Sequence, residues 1–211
     1  MKERGMIFNS EMVRAILDGR KTQTRRIMKI QPEHSGLGLR RVIDSKNGSD
    51  DGKYFWSSSD ACGLKARSKS FACPFGAVGD RIWVRETWAE AGACAPDLKL
   101  YRANYPEHVS SIYENVPPTE EIRWTPSIHM PRWATRILLE ITDIRVERLA
   151  SVSDEDAGKE GYPADPSPFG GPMEKWLWFR QLWDGIYPEQ SFKHNPWVWV
   201  IEFKRVEGGA A

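Results

Sequence analysis

The chain has 211 residues and a formal net charge of +1. That length suffices for one domain with a sizeable core, and the near-balance of charge excludes a global field that would draw in a polyanion, so any nucleic-acid binding must come from a local patch. No apolar run approaches the ~20 residues that span a bilayer, and Met1-Lys2-Glu3-Arg4 is followed by no signal-peptide h-region; the expectation is a cytoplasmic protein with no membrane partner. The three cysteines, Cys62, Cys73 and Cys94, are odd in number and irregularly spaced, which suits a reducing compartment and fits no CxxC or HxxxH metal pattern.

In chain order, Ser10 to Asp18 places Met12, Val13, Ile16 and Leu17 at helical spacing, predicting a short helix with one apolar face. Gly19 stands where a helix stop belongs. The segment Gly19-Arg20-Lys21-Thr22-Gln23-Thr24-Arg25-Arg26 follows at once. It interleaves threonines with cations, and Lys21, Thr24 and Arg25 can project from a turn or strand start held by the helix. The residues from about 31 to 77 are rich in Gly, Ser and Asp and read as turns or an inserted hairpin region. In 81–88, Ile82, Val84 and Glu86 fall on one strand face and Trp83, Arg85 and Thr87 on the other; Glu86 therefore needs an explanation such as an ion pair or a site, with pairing to Arg25 or Arg26 favoured over a direct catalytic role.

The stretch 89–125 reads as loop-rich, and 124–133, with Pro126 and Pro131, as an irregular pocket wall carrying His129. Alternation predicts a long strand over 135–149. Ser153-Asp-Glu-Asp156 is a capping-box pattern opening a short helix to about Gly161. A Pro/Gly-rich loop covers 162–172, an amphipathic helix 173–186, and the nearly continuous apolar run from Trp197 to Lys204 a central strand. Most of the ten tryptophans serve as packing in such elements, with a few available to stack on a base. Short helices dispersed among strands, without a βαβ cadence, predict an α+β fold, a small barrel or strongly bent sheet with helices plugging its side.

The order of GRKT.T.R, GD..WVRE, a long strand, an acidic helix with D.DA..EG, a further helix and W.WVIEFKR resembles the ASCH domain, a PUA-like β-barrel related to RNA-binding modules. The longer form with PSIHMPRWA.RI is similar to ASCH proteins of phages and prophages. The resemblance covers most of the chain as a single domain over 1–211, with insertions at about 31–77 and 89–125. It implies a small β-barrel with flanking helices and no metal or cofactor. The smallest bacterial members are amidohydrolases that remove the acyl group from N(4)-acetylcytidine, and their catalytic lysine, threonine and glutamate match Lys21, Thr24 and Glu160. This chain departs from them in carrying Arg25 where they have an apolar residue, and in its insertions, which bear on the substrate.

Such a set is chemically sufficient: Thr24 as nucleophile, Lys21 as a base once desolvation lowers its pKa, Glu160 as acid toward the leaving nitrogen. Arg20, Arg25, Arg26, Glu86 and His129 complete the expected substrate-binding set. The alternatives are concrete. Lys21 with Arg20, Arg25 and Arg26 also has the composition of a phosphate-binding loop, in which case the protein is a non-catalytic reader of RNA or a modified base. Thr24 alone reads as a strand hydroxyl, Glu160 as a solvated carboxylate and His129 as a structural hydrogen-bonder. Ribonuclease activity, reported for some ASCH proteins, ranks last. The expected ligand is a modified cytosine nucleoside or base, with RNA as a second candidate partner.

Overall fold

The computed structural model describes residues 1–59, 65–93, 95–164 and 171–206. Cys62, Cys94, part of the 162–172 loop and the tail 208–211 lie outside the described residues. Within them the fold is mixed α+β: ten strands and three α-helices, joined by short 3₁₀ turns.

The principal sheet has five strands in the order β1-β6-β9-β10-β2: β1 (Glu3–Ile7), β2 (Gln23–Ile27), β6 (Arg81–Arg85), β9 (Leu138–Arg148) and β10 (Trp197–Arg205). β1 runs parallel to β6 and the other neighbours are antiparallel. β9 and β10 pair along nearly their whole length, with a register shift between Glu202 and Phe203. A guanidinium links the two ends of the sheet: Arg26 Nη2, on β2, donates to the Ile7 carbonyl on β1 at 2.9 Å. The sheet is thus bent enough to bring its first and last strands within one side chain of each other.

β10 is the central strand that its apolar run predicts, because both of its faces are covered. Trp199, Ile201 and Phe203 pack in one cluster with Phe8, Val13, Ile16, Ile82 and Ile141. Val198 and Val200 pack in a second with Leu149, Ala157, Phe179 and Trp183. Helix α1 (Ser10–Leu17) contributes Val13 and Ile16 to the first cluster, is capped by Asn9, whose side chain accepts from Met12 N, and ends at Gly19 with φ +75°. A left-handed residue there closes the helix, and only glycine adopts it without strain. Helix α2 (Asp154–Lys159) starts at Ser153, whose hydroxyl accepts from Asp156 N at 3.1 Å, as the capping pattern predicts. Helix α3 (Glu174–Ile186) buries Phe179 and Trp183 against the second cluster, each contributing about 1.5–3 kcal/mol. Leu177 and Ile186 are exposed.

The two predicted insertions hold regular structure. The first forms a three-stranded antiparallel sheet of β3 (Gly38–Arg41), β4 (Tyr54–Ser59) and β5 (Lys65–Arg67); Trp56 anchors it by packing 5.1 Å from Trp197. The second forms a hairpin of β7 (Trp88–Glu90) and β8 (Lys99–Tyr101), so the loop reading of 89–125 misses this short pair. The proline-flanked wall forms two 3₁₀ turns, Ser127–His129 and Arg132–Ala134, with Met130 buried between them. Among the described residues no helix is long and apolar enough to cross a membrane.

Candidate functional site

Lys21 leaves the α1 turn with its N–H donating to Ala15 O and its side chain fully enclosed. It pairs in a β-bridge with Glu160, the residue closing α2. The Lys21 Nζ donates to Glu160 Oε2 at 2.9 Å and to the Glu160 carbonyl at 2.8 Å. Arg25 Nη1 reaches the other carboxylate oxygen, Oε1, at 3.0 Å. Two cations, 139 and 135 residues away in sequence, thus share one buried carboxylate.

The approach depends on Gly161, which has φ +103°. A Cβ there would stand 2.9 Å from Ala15 Cβ and 3.2 Å from Lys21 Cβ, so a side chain would separate α2 from the lysine. Burial lowers the Lys21 pKa below the ordinary lysine value, against the opposing attraction of Glu160 and with smaller help from Arg26 and Arg25. The amine is therefore easier to deprotonate than a solvated lysine, as a general base requires.

Arg25 extends the cluster. Its Nη2 lies 3.4 Å from Glu147 and 3.5 Å from Asp156, its plane lies near the Phe179 ring, and its buried Nε has no hydrogen-bond partner among the described residues. Arg145 ties Glu147, Glu202 and Asp156 together behind it. At Asp156 desolvation pushes the pKa up, but Lys159, Arg25 and Arg145 together outweigh it and hold the carboxyl below its usual value. This acidic backing escapes sequence reasoning. The signal available was β9 alternation, which puts Asp143, Arg145 and Glu147 on one strand face opposite Glu202, Val200 and Val198 of β10.

Thr24 is buried and reaches the site from the neighbouring pleat. On β2 it pairs with Ile201, while Arg25 pairs with Val200, so the two side chains leave opposite faces of the strand. Thr24 nonetheless lines a narrow seam of about 20 Å³ together with Arg25, Arg26, Glu160 and the α3 residues Phe179, Leu182, Trp183 and Ile186. The seam adjoins two open clefts. One, of about 350 Å³, shares Met12, Glu160 and Leu182 with it and adds Arg20, Gly161 and Trp178. The other, of about 780 Å³, shares Arg26, Ile186 and Tyr187 and adds Gly5, Lys29 and Arg85.

The remaining expected residues disperse. Arg20 is held by Asp18 and by the carbonyls of Gly161 and Tyr162, at the rim of the smaller cleft. Arg26 crosses to Ile7 over the Phe8 ring. Glu86 is buried as expected from its strand face, but its partner is Arg136, through two bonds of 2.9 Å, and not Arg25 or Arg26. The reason is register: β6 adjoins β1 and β9, away from β2. Arg136 also covers the Tyr101 ring at 4.0 Å, where burial pushes the phenol up to about 12. His129 is exposed in its 3₁₀ turn and lines neither cleft. Cys73 is half-buried and free, and burial pushes its thiol up to about 11, which makes it a poor nucleophile. Among the described residues no group of three or more His, Cys, Asp or Glu is arranged to hold a metal ion.

Compared with family models, curated proteins and solved structures, the chain gives no match.

Proposed function

We propose that the protein is a metal-independent amidohydrolase that removes the acyl group from N(4)-acylated cytosine, as nucleoside or base, on a PUA-like barrel of the ASCH kind. The observation that carries this reading is the buried Lys21–Glu160 pair, with a lysine pKa lowered by burial, whose glutamate lines a seam that Thr24 also lines. The linkage of the sheet's end strands through Arg26 and Ile7 supports the barrel.

In this mechanism neutral Lys21 takes the Thr24 hydroxyl proton as Oγ1 attacks the acyl carbon. The unpartnered Arg25 Nε donates to the developing oxyanion, an effect typically worth about 3 kcal/mol. The C–N4 bond breaks as the proton taken up by Lys21 passes to N4, directly or relayed through the Glu160 carboxylate bonded to it, releasing cytosine with its free amine. Water then hydrolyses the threonine ester, releasing the carboxylic acid and returning the proton to Thr24. The three groups supply nucleophile, base and acid, so no step calls for a metal or cofactor. In the resting geometry Lys21 is bonded to Glu160 and Thr24 leaves the other face of β2 from Arg25, so the proton transfer calls for substrate binding to open the seam of about 20 Å³ and bring the two side chains together.

Lys21→Met, Thr24→Val and Glu160→Gln are each expected to lower kcat/KM on N(4)-acetylcytidine at least 100-fold while keeping the native circular-dichroism spectrum. Near-normal rates in all three would remove the reading. A second reading, a non-catalytic binder of RNA or a modified base, draws support from the cationic larger cleft. It calls for binding that weakens steeply with salt and yields no product.

A further inference from the structure

The larger cleft contains three cations, Arg26, Lys29 and Arg85, against a single acid, Glu189. Ion pairs are frequent elsewhere: Arg25, Arg136 and Arg145 all meet carboxylates. Among the described residues none of the three cleft cations does. Each arginine is instead held at one corner. Arg26 Nη2 donates to the Ile7 carbonyl and Arg85 Nη2 to the Ile128 carbonyl, and among the described residues the buried Nε atoms of both are unpartnered. Their planes are oriented by aromatic rings, Arg26 over Phe8 and Arg85 over Trp83, each 5.4 Å from the ring centre.

The cleft is shaped around these side chains. Gly5 lies on its wall, and a Cβ there would stand 2.6 Å from the Trp83 ring and 2.9 Å from Arg85 Cδ. Only a glycine lets Trp83 and Arg85 lie down across β1. A guanidinium carries five donors in a fixed fork suited to two oxygens of one anion. Two such forks that lack acid partners, oriented on rings, have the chemistry of a phosphate site. The same cleft supplies the exposed apolar side chains of Ile7 and Ile186, and it meets the catalytic seam at Arg26, Ile186 and Tyr187.

We propose that this cleft holds the phosphate of the substrate, so that a cytosine nucleotide unit binds in preference to the free nucleoside or base, with Arg85 and Arg26 on the phosphate and the acylated base directed at the seam. The inference rests on the seam being where the acyl group reacts, but the phosphate preference itself can be measured without turnover. Isothermal titration with cytidine, cytidine 5′-monophosphate and a cytidine-centred RNA trinucleotide, none of them acylated, reads it directly.

The monophosphate is expected to bind at least tenfold more tightly than cytidine. Arg85→Gln is expected to bring that ratio near one, and Lys29→Gln, at an exposed position, to reduce it about threefold. A trinucleotide binding more tightly than the monophosphate assigns the site to a unit within RNA, and weaker binding assigns it to the mononucleotide. Equal binding of cytidine and its monophosphate, or a preference untouched in both variants, overturns the proposal. If the preference holds while acylcytidine is never hydrolysed, the deacylase reading fails and the phosphate site stands.

Discussion

Glu160 is the residue on which the site turns, because Lys21 and Arg25 are both enclosed and both rely on it. A buried cation without a counter-charge is expensive, and removing one partner of a buried pair typically costs about 3–5 kcal/mol. Glu160→Ala is therefore expected to lower unfolding free energy in urea by an amount of that order, and Glu160→Gln by less, since the amide oxygen still accepts. The Lys21 pKa adds a pH signature. Its folded value lies below that of an ordinary lysine because burial disfavours the charge. Between the folded and ordinary values the unfolded chain therefore holds the proton that the folded chain has released, and stability rises with pH across that window. The unfolding free energy of wild type minus that of Lys21→Met is expected to grow as pH rises toward the ordinary lysine value. A difference that shrinks would mean the fold favours the charged amine.

At the scale of elements, the turn joining α2 to Lys21 is as constrained as the ion pair. Gly161 combines a left-handed φ with contacts to Ala15 and Lys21 that no Cβ tolerates. Gly161→Ala is expected to destabilise by about 1–3 kcal/mol and to disturb the bridge to Lys21. Gly185, inside α3, is the opposite case: a Cβ there meets nothing within 4 Å, so Gly185→Ala is expected to stabilise by about 0.5–1 kcal/mol. Thermal melts of the two variants check both signs. Local signals made several of these elements legible: the α1 stripe and its Gly19 stop, the Ser153 cap, and the unbroken apolar run of β10. β1 left no such trace. Glu3-Arg4-Gly5-Met6-Ile7 lacks alternation, and its strand state comes from parallel pairing with β6 far along the chain. The β7–β8 hairpin is likewise set by pairing more than by pattern.

For the whole molecule, the site is assembled by topology. β2 lies at the sheet edge beside β10, which places Lys21 and Arg25 under the helix that ends in Glu160. Lys21, Thr24 and Arg25 announce themselves as one motif. Glu160 enters the sequence reading only through resemblance, because its partners lie more than 130 residues away. Arg85 and the acidic backing of Arg25 escaped, since a strand arginine looks the same whether paired or free until its neighbours are known. Glu86 illustrates the converse: burial followed from alternation, but its partner depended on strand order.

The most direct measurement is the ultraviolet absorbance of N(4)-acetylcytidine over time with the purified wild-type protein, with and without chelator, beside Lys21→Met. Deacylation at the Thr24–Glu160 seam, with Lys21 as base, gives loss of the acylcytosine band with wild type alone, unchanged by chelator, and equal amounts of cytidine and acetate. An unchanging band, repeated with the acetylated 5′-monophosphate and with longer acyl groups, would contradict it.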